Sequence, residues 1–553
     1  MSVPGSVPSQ WGCAEMTPSV IYPFDETRAE YLRDESRRSG QADAVAFPRT
    51  EEDVREVLRY AHGKRYPITI QGARTGITAG AVPSGGIILN MSRMRSVTGL
   101  GYDAQSGSFS VRVQPGVLLS DLREGVASLD FRTEGWSEES LAWLEQLKAS
   151  PGWFFPPDPT ETGASLGGMV ACNASGARSL RFGAVGRHVR SLRVMLADGD
   201  TLVLTRGSVI ARGRRFALTT VGGRVLEGEL PDVTVPRVKS SAGYYVADSM
   251  DMLDLFFGME GTLGVVTEIE CVLSPLPLVM WGVLFFLPSR AAAVSFVRAV
   301  RGEGAPVRRS LPPVAIEYFD CRALELVRKQ KKDNPAFSSL AVPDSSRHSA
   351  VYVEFHGDDE DEVMEAAQEA SQMLVVAGGD DAATWLADTE REMEKLKQFR
   401  HAVPESVNLL IDERRKEEPG LTKLGTDMAV PDERLEEILE LYEQGVAKEE
   451  LESVVFGHIG NNHLHVNILP RNRGEYERGA RLYQSWARAV VAMGGTVSAE
   501  HGIGKLKTGL LELMYTAKGI EQMRALKRVF DPGLVLNPGT MFEIVSLPRK
   551  ELP

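Results

Sequence analysis

The sequence has little of what several classes of protein require. Its four cysteines lie far apart in 553 residues without a Cys-x-x-Cys pair, which argues against a disulfide framework, a zinc knuckle and an internal iron–sulfur cluster. The longest apolar run, residues 278–287, has ten residues, about half the length of a membrane-spanning helix. Residues 1–10 carry neither a basic patch nor an apolar core, so we expect no signal peptide and a location in the reducing cytoplasm.

Basic charge is also in deficit. The chain has 62 Lys and Arg against 75 Asp and Glu, a net charge of −13. This balance argues against a nucleic-acid partner and against attachment to an acidic membrane surface. With 43% apolar and 25% charged residues, the composition is that of an ordinary globular protein with about three or four domain-sized lobes.

The hydrophobic pattern changes near residue 277. Before it, a helix capped by Thr50 with Asp53 three residues on is flanked by short strands, which indicates a small βαβ unit. Strands are predicted at 67–71, 86–90, 108–113, 189–196, 201–205 and 264–272, with an inserted helix and loop at 134–152. Beyond it, strands at 281–287, 350–355, 454–457 and 463–469 alternate with helices near 361–377, 388–402, 432–448 and 474–493, and a last helix is predicted at 519–529. Such alternation predicts an α+β lobe whose helices cover an antiparallel sheet.

A glycine-rich loop follows the strand that begins at Pro67. It reads Gly-Ala-Arg-Thr-Gly over 72–76, with Gly80 and Gly85-Gly86 after it. Such a loop presents several backbone N–H groups in one concavity and lets a pyrophosphate approach without a Cβ clash. It is neither a Rossmann fingerprint nor a P-loop, and a tight turn in an ordinary domain is the alternative.

Two further glycine-rich blocks follow. The second block combines prolines with a glycine over 155–163 and continues with mostly small residues over 166–176. The third block, 258–264, reads Gly-Met-Glu-Gly-Thr-Leu-Gly before a strand. Rigid prolines followed by small residues can line a flat, extended ligand. The alternative is a close-packed domain interface.

Together the three blocks resemble the FAD-binding half of the vanillyl-alcohol-oxidase-type flavoproteins. The match is best to the branch of D-lactate dehydrogenases, glycolate oxidase flavin subunits and D-2-hydroxyglutarate dehydrogenases. The resemblance implies a two-lobed FAD-binding domain at 1–275 (subdomains about 45–105 and 106–275), a substrate or cap domain at 276–495, and a segment 496–553 that returns to complete the active site.

The resemblance also implies which residues hold the cofactor. The expected FAD-binding residues are Pro67, Gly72, Ala73, Arg74, Thr75, Gly76, Gly80, Pro157, Asp158, Gly163, Gly167, Gly168, Ala171, Asn173, Gly176, Gly183, Glu260, Gly264, Val266 and Asn537. Members with covalent flavin often carry a histidine in the first glycine loop. Since 72–76 has none, we expect non-covalent FAD.

Histidines are concentrated near the C-terminus. Four of the nine fall within the 44 residues from His458 to His501. If 463–469 is a strand, His463, His465 and Asn467 share one face. Two imidazoles and the carboxylate of Glu500, with further coordination positions left open, suit a zinc- or manganese-type divalent ion. The alternative to a metal site is a group of histidines that are hydrogen-bonded or solvated.

The family pattern here is Gly-His-x-Gly-Asp-Gly-Asn-x-His, followed later by Ser-x-Glu-His-Gly-Ile-Gly. By this resemblance His458, His465 and Glu500 are the metal ligands, His501 is the general base and Asn467 belongs to the catalytic set. Three positions depart from the pattern: Asn461, Asn462 and His463 stand where it has Asp, Gly and Asn.

Two cations resemble the family's anion receptors. Arg400 is in the place of an arginine that clamps a substrate carboxylate, for which a planar guanidinium is suited. Lys423 is in the place of a second cationic contact, although the spacing between the two is longer here. A solvated side chain on a charged helix is the alternative for each.

The resemblance implies an FAD-dependent dehydrogenase that oxidises a D-2-hydroxyacid, by default D-lactate, to the 2-oxoacid by metal-assisted proton abstraction and hydride transfer to flavin. The alternatives are a non-redox flavoprotein such as an alkyl-dihydroxyacetone-phosphate synthase-like transferase, or a glycolate oxidase subunit. A plain metal-dependent hydrolase would leave the glycine blocks unexplained. Without an iron–sulfur ligand set, the expected electron acceptor is a quinone, an electron-transfer flavoprotein or an iron–sulfur partner, and a homodimer is left open.

Overall fold

This computed structural model describes residues 18–303, 311–338, 340, 342 and 348–543. A small, mainly parallel sheet comes first in the described part of the chain. Its strands are β1 (Ile21–Pro23), β2 (Ala44–Ala46), β3 (Ile68–Gln71) and β4 (Ile87–Asn90), in the order β1-β2-β4-β3. Strands β2 and β3 run parallel to β4, and β1 is antiparallel to β2. Helix α1 (Glu51–Lys64) joins β2 to β3 and begins with the expected capping box, in which the side chains of Thr50 and Asp53 each accept from the other's backbone N–H.

Nine strands follow, and they form a five-stranded antiparallel sheet and two separate strand pairs. They are β5 (Val97–Asp103), β6 (Ser108–Val113), β7 (Trp153–Phe154), β8 (Val189–Met195), β9 (Thr201–Thr205), β10 (Arg215–Thr219), β11 (Val225–Glu229), β12 (Val265–Val272) and β13 (Ser274–Pro275). Five of them form the sheet β5-β6-β12-β8-β9, while β10 pairs with β11 and β7 with β13. The helices are α2 (Leu119–Ser128), α3 (Glu138–Ala149), α4 (Leu166–Cys172) and α5 (Ser179–Phe182). The inserted helix expected within 134–152 is α3.

The next sheet has eight strands, also antiparallel. They are β14 (Val279–Leu287), β15 (Ala315–Asp320), β16 (Ser349–Gly357), β17 (Trp385–Ala387), β18 (Leu424–Gly425), β19 (Met428–Ala429), β20 (Ser453–His458) and β21 (His463–Ile468). The order is β17-β14-β16-β15-β20-β21-β18, and β19 also pairs with β21. The apolar run between two prolines is β14, and its residues 281–287 are buried.

Helices cover this sheet as the pattern predicts, although α6 and α7 were not among the predicted helices. They are α6 (Arg290–Arg301), α7 (Cys321–Asp333), α8 (Glu360–Val376), α9 (Glu390–Arg414), α10 (Leu435–Lys448) and α11 (Arg473–Ala492). The last helix, α12 (Thr508–Phe530), packs against β11 and α11. Short 3₁₀ turns lie at Glu26–Leu32, Met91–Arg93, Val185–His188, Met252–Phe256, Pro335–Phe337, Asp381–Ala383, Asp432–Arg434 and Ile459–Asn461. Among the helices of these ranges, none combines the length and apolarity needed to span a bilayer.

Two helices are longer than expected. The prediction ended α9 near residue 402, but the helix continues through Pro404 to Arg414 because Ser406, Val407 and Ile411 beyond the proline are buried. Packing of that face outweighs the backbone hydrogen bond that a proline removes. Helix α12 starts eleven residues before its predicted start at 519 and is interrupted at Thr516, where φ is 62°.

The C-terminal residues pack against the first two sheets. The Ile68 N–H donates to the Val535 carbonyl (2.7 Å), and the Asn537 N–H donates to the Ile68 carbonyl (2.8 Å). The buried ammonium of Lys527 donates to the Thr262 carbonyl (2.7 Å) and to Asp531 (2.8 Å). These contacts fix residues 527–537 against β3 and against the glycine-rich block at 258–264.

Candidate active site

A cavity of about 1790 Å³ runs from the glycine loop after β3 to the strand pair β20–β21. Most of the expected FAD-binding residues line it: Gly72, Ala73, Arg74, Thr75, Gly76, Gly80, Asp158, Gly167, Gly168, Ala171, Glu260, Gly264, Val266 and Asn537. The others are not among its lining residues: Pro67, Pro157, Gly163, Asn173, Gly176 and Gly183. Of these, Gly176 packs against the Asp158 carbonyl, and Asn173 accepts a hydrogen bond from the Gly186 N–H (3.2 Å).

The wall at 72–76 requires small residues for two different reasons. A Cβ at Gly72 would lie 2.1 Å from the Ser165 hydroxyl, which accepts from the Ala73 N–H (3.2 Å) and ties this loop to α4. A Cβ at Gly76 would meet no protein atom within 4 Å and would project into open space. The wall is therefore a cradle that a side chain would fill, which is the property that close approach of a flat cofactor needs.

Glu260 connects the third glycine block to the His501 loop. Its backbone is left-handed (φ 51°), and its carboxylate accepts from the N–H groups of Ile503 and Gly504, both at 2.7 Å. Burial raises the pKa of Glu260 to about 7. The Asn537 amide donates to the Glu260 carbonyl (2.7 Å), so two expected cofactor residues also fix the loop that carries the expected base.

Four side chains form the imidazole–carboxylate cluster, which we define as His458, His463, His465 and Glu500. One potential ligand atom from each lies within 4.8 Å of those of the others. Antiparallel pairing of β20 with β21 sets His458 opposite His463 and Phe456 opposite His465. The cluster therefore contains all three expected metal ligands together with the residue that departs from the family pattern.

Glu317 and Lys239, which were not predicted from the sequence, contact this cluster. Glu317 on β15 lies 2.7 Å from His458 Nδ1. Burial alone would lower the pKa of His458, but the carboxylates of Glu317 and Glu500 outweigh it and raise that pKa to about 9. The Lys239 ammonium contacts the Glu500 carboxylate. Burial alone would raise the pKa of Glu500, but the cationic His458 and Lys239 hold it well below its usual range.

The two other imidazoles of the cluster are held neutral. Burial lowers the pKa of His463 to about 4, and burial together with the neighbouring histidines holds the pKa of His465 well below its usual range. The His465 Nδ1 lies 3.1 Å from the Thr426 carbonyl. Metal-ligating imidazoles are neutral, so His463 and His465 are in the protonation state that a cation requires, while His458 would release a proton on binding one.

Asp427 organises the loop beside the cluster. Its buried carboxylate accepts from the N–H groups of Glu500 and His501 (both 3.1 Å) and from the Lys507 ammonium (2.6 Å). It also lies 3.3 Å from His501 Nδ1. Burial alone would raise the pKa of Asp427, but His501 and Lys507 hold it well below its usual range. His501 is half-buried, lines the cavity and stacks on His465, with ring centroids 5.5 Å apart.

Arg400 projects from α9 into the cavity wall. It lies 4.0 Å from Glu354 Oε2 and 4.9 Å from the centroid of the Tyr352 ring, and its buried Nε has no hydrogen-bond partner. Burial alone would lower the pKa of Arg400, but Glu317 and other carboxylates raise it. The guanidinium of Arg400 therefore lines the cavity with one N–H that no protein group accepts.

Arg178, at the start of α5, donates to Glu354 Oε1 (2.8 Å) and so links α5 to the eight-stranded sheet. Asp158 accepts from Arg123 (2.9 Å), so this expected cofactor residue also takes part in the ion-pair network.

The remaining expected residues also line the cavity, but their contacts differ. Asn467 lies on β21 beside the cluster and donates to the His465 carbonyl (3.2 Å). Lys423 donates to Asn408 on α9 (3.0 Å), and burial lowers its pKa. The structure therefore places Asn467 with the cluster and gives Lys423 a partner on the long helix.

Glu317, Glu354 and Asp427 could have been suspected from the sequence. Glu317 and Glu354 interrupt otherwise apolar strands, and a carboxylate inside such a strand is rare unless it is paired. Asp427 follows Lys423 in a segment whose remaining residues are apolar or small. Nothing in the sequence pairs Lys239 with Glu500.

The comparisons with known proteins cover both parts of the chain. The profile of the FAD binding domain matches residues 42–133 and 139–205, and that of the FAD linked oxidases, C-terminal domain, matches residues 279–541. The D-lactate dehydrogenase of Anaerostipes hadrus is 26% identical over 544 residues, with 95% of each chain covered. The glycolate oxidase subunit GlcD of Bacillus subtilis is 26% identical over 527 residues, with 95% of this chain and 92% of the relative covered.

Solved structures show the same fold. The 4-ethylphenol oxidase from Gulosibacter chungangensis superposes with a TM-score of 0.62 over 95% of this chain and 94% of that one. An alkyldihydroxyacetonephosphate synthase gives 0.58 over 95% of this chain and 82% of the other. Both are 15% identical to this chain, so they show the architecture alone.

Proposed function

Since the chain belongs to the FAD-linked oxidases of the vanillyl-alcohol-oxidase-type fold, in the branch of the D-lactate and D-2-hydroxyglutarate dehydrogenases, we propose that it oxidises a D-2-hydroxyacid, by default D-lactate, to the 2-oxoacid. The observation that supports this most is the cavity itself. The cavity joins a glycine-lined cradle to His458, His465, Glu500 and His501.

The glycine-lined half fits FAD. Gly72, Gly76 and Gly80 would hold its pyrophosphate side, because all three line the cavity and glycine lets a pyrophosphate approach the backbone closely. Gly264 and Val266 would line the ring. The 72–76 loop offers no imidazole, which supports non-covalent attachment. When bound, FAD supplies the acceptor for a hydride and thereby makes the oxidation possible.

The other half fits a divalent cation at His458, His465 and Glu500, zinc or manganese being the proposed ions. Two imidazole nitrogens and a carboxylate oxygen are the donors that such ions take. The Glu317 contact at His458 Nδ1 directs the other nitrogen of that ring toward Glu500, whose Oε2 lies 3.3 Å from Nε2. A cation bound there supplies Lewis-acid polarisation of the substrate hydroxyl.

His501 is the proposed base. Asp427 beside Nδ1 favours the tautomer with its proton on that nitrogen, so Nε2 is left with a lone pair to accept the hydroxyl proton. Asp427 also fixes the position of the His501 backbone. Its negative charge would stabilise the imidazolium that forms when His501 takes the proton.

Arg400 is the proposed clamp for the substrate carboxylate, with Asn467 as a polar neighbour and Lys423 as a weaker candidate. The unpartnered Arg400 Nε supports the first assignment, and the bond of Lys423 to Asn408 makes the second less direct. We further propose that residues 1–275 form the FAD-binding domain, that 276–495 form the substrate or cap domain, and that 496–553 return to the FAD-binding domain and complete the active site.

The electrons leave to an acceptor outside the chain, for which we propose a quinone, an electron-transfer flavoprotein or an iron–sulfur partner. A homodimer and a cytoplasmic location are also proposed. Cys172, Cys271 and Cys321 are free thiols, which supports a reducing compartment.

A glycolate oxidase subunit is the second candidate, because the Bacillus subtilis relative covers the same 95% of this chain at the same 26% identity. The transferase alternative is supported by the fold alone. A panel of D- and L-2-hydroxyacids that includes glycolate, assayed with a dye acceptor with and without chelator, separates these functions. We expect D-selective, chelator-sensitive dye reduction. Preferred turnover of glycolate would favour the subunit, and no dye reduction with any acid would contradict the dehydrogenase.

A further inference from the structure

His463 is a buried imidazole without a hydrogen-bonding partner of good geometry. It is 0% exposed, and both ring nitrogens lack a hydrogen bond. Leaving a buried polar atom unpaired costs about 1–3 kcal/mol, so such an atom calls for an explanation such as an ion. His463 is also where this chain departs from the family pattern, which has Asn at that place.

The position of the ring gives its two nitrogens different roles. Nε2 lies 3.1 Å from Asp427 Oδ1, at ion-pair distance, and Nδ1 lies 3.9 Å from Glu500 Oε2, on the cluster side. The His463 ring centroid is 4.5 Å from that of His465 and 5.4 Å from that of His458. An imidazole whose far nitrogen faces a carboxylate while its near nitrogen faces other ligands has the arrangement of a metal-ligating histidine with its outer partner.

The cavity defines the side from which His463 would bind. His458, His465 and Glu500 line the cavity, whereas His463 does not. A bond from His463 would therefore reach the ion from the protein interior and would leave the cavity side to the substrate.

We propose that His463 Nδ1 is a fourth protein ligand of the divalent cation and that Asp427 is its positioning residue. This inference rests on the proposed function, since it concerns the same site. The donor set becomes three imidazoles and one carboxylate, which suits a first-row transition ion such as Zn²⁺ or Mn²⁺ over Mg²⁺ or Ca²⁺. Four protein ligands complete a tetrahedral shell, so substrate chelation through carboxylate and hydroxyl would require the ion to take six ligands.

The experiment counts imidazoles on the metal. The full-length, FAD-loaded protein is stripped with a chelator and given one equivalent of Zn²⁺, and X-ray absorption fine structure at the zinc edge is recorded. We expect three imidazoles in the native protein and two in His463→Asn, a variant that restores the residue of the family pattern. Two imidazoles in the native protein would overturn the proposal, and this result does not depend on whether the variant folds.

Affinity gives an independent readout. Competition with a chromophoric chelator should show that His463→Asn binds Zn²⁺ more than about 100-fold more weakly, beyond the 10–100-fold typical of losing an outer partner. His188→Asn, the same change at a half-buried histidine bonded to the Phe182 carbonyl outside the cluster, should bind as the native protein does. Unchanged affinity in His463→Asn would overturn the proposal.

Failure of this inference is distinguishable from failure of the proposed function. D-selective oxidation with only two imidazoles on the ion overturns the fourth ligand and leaves the dehydrogenase intact. Three imidazoles without oxidation of any hydroxyacid supports the fourth ligand and contradicts the function. A native protein that binds no Zn²⁺ overturns the fourth ligand and the metal assignment together.

Discussion

Replacing His501 by asparagine removes the proposed base and preserves much of its surroundings. An asparagine amide can still donate to Asp427, and the backbone bond from residue 501 to that carboxylate (3.1 Å) is unaffected. The lost group is the imidazole nitrogen that accepts the hydroxyl proton. Because such a proton transfer matters mainly in the transition state, kcat should fall about 10²–10⁴-fold. At about 1.36 kcal/mol for each factor of ten, the barrier rises by about 2.7–5.4 kcal/mol.

The assay is steady-state dye reduction at saturating D-2-hydroxyacid, with the flavin content of each preparation measured by its absorbance near 450 nm. His501→Asn should bind FAD normally, because the glycine walls are unchanged. His62→Asn, the same substitution at an exposed histidine of α1, should keep the native kcat. If His501→Asn keeps a kcat near the native value, the reasoning is refuted and the proton is accepted by another group.

Three further predictions test other parts of the site and the fold. Arg400→Ala should raise KM for the hydroxyacid more than it lowers kcat, because the clamp acts in ground and transition states alike. Arg400→Lys should recover only part of the loss, since an ammonium cannot bind both carboxylate oxygens. Steady-state kinetics of Arg400→Ala that show an unchanged KM would contradict the clamp. Gly76→Val should abolish FAD binding without lowering the melting temperature of the FAD-free protein, since a Cβ at this position meets no protein atom within 4 Å. Gly63→Val, on α1, where a Cβ also meets no protein atom, should keep its flavin. Normal flavin in Gly76→Val would contradict the cradle. Asp320→Asn should gain stability relative to the native protein as pH rises from about 4 to 7. Burial raises the pKa of Asp320 in the folded protein to about 7, above its pKa in the unfolded chain. The neutral carboxyl therefore stabilises the fold at pH values below the unfolded-state pKa. This contribution is lost, at about 1.4 kcal/mol per pH unit, as pH rises through the folded-state pKa. Melting temperatures across that range test this, and parallel curves would contradict it.

Local sequence rules predicted much of the fold. Thr50 and Asp53 form the capping box that their spacing predicts. The apolar run between Pro277 and Pro288 is a buried strand, and β6 and β9 have the predicted limits. The predicted end of α9 near residue 402 was wrong, because packing of the buried Val407 and Ile411 continues the helix past Pro404 despite the backbone hydrogen bond that a proline removes.

The site was less predictable than the fold. The strand period places His463 and His465 on one face, but no local rule brings Glu317 to His458 or Lys239 to Glu500. Those pairs are separated by 141 and 261 residues, and only the packing of three sheets against one cavity brings them together. The buried state of His463, which distinguishes a ligand from a surface imidazole, likewise follows from tertiary packing.

Oxidation of a D-2-hydroxyacid by the flavin is tested by mixing the FAD-loaded protein with D-lactate in the absence of oxygen and other acceptors while following the flavin band near 450 nm. We predict that the band bleaches with D-lactate or another D-2-hydroxyacid of the panel, bleaches far more slowly with the L-enantiomer, and bleaches more slowly after chelator treatment. A flavin band that stays unchanged with every D-2-hydroxyacid would contradict it.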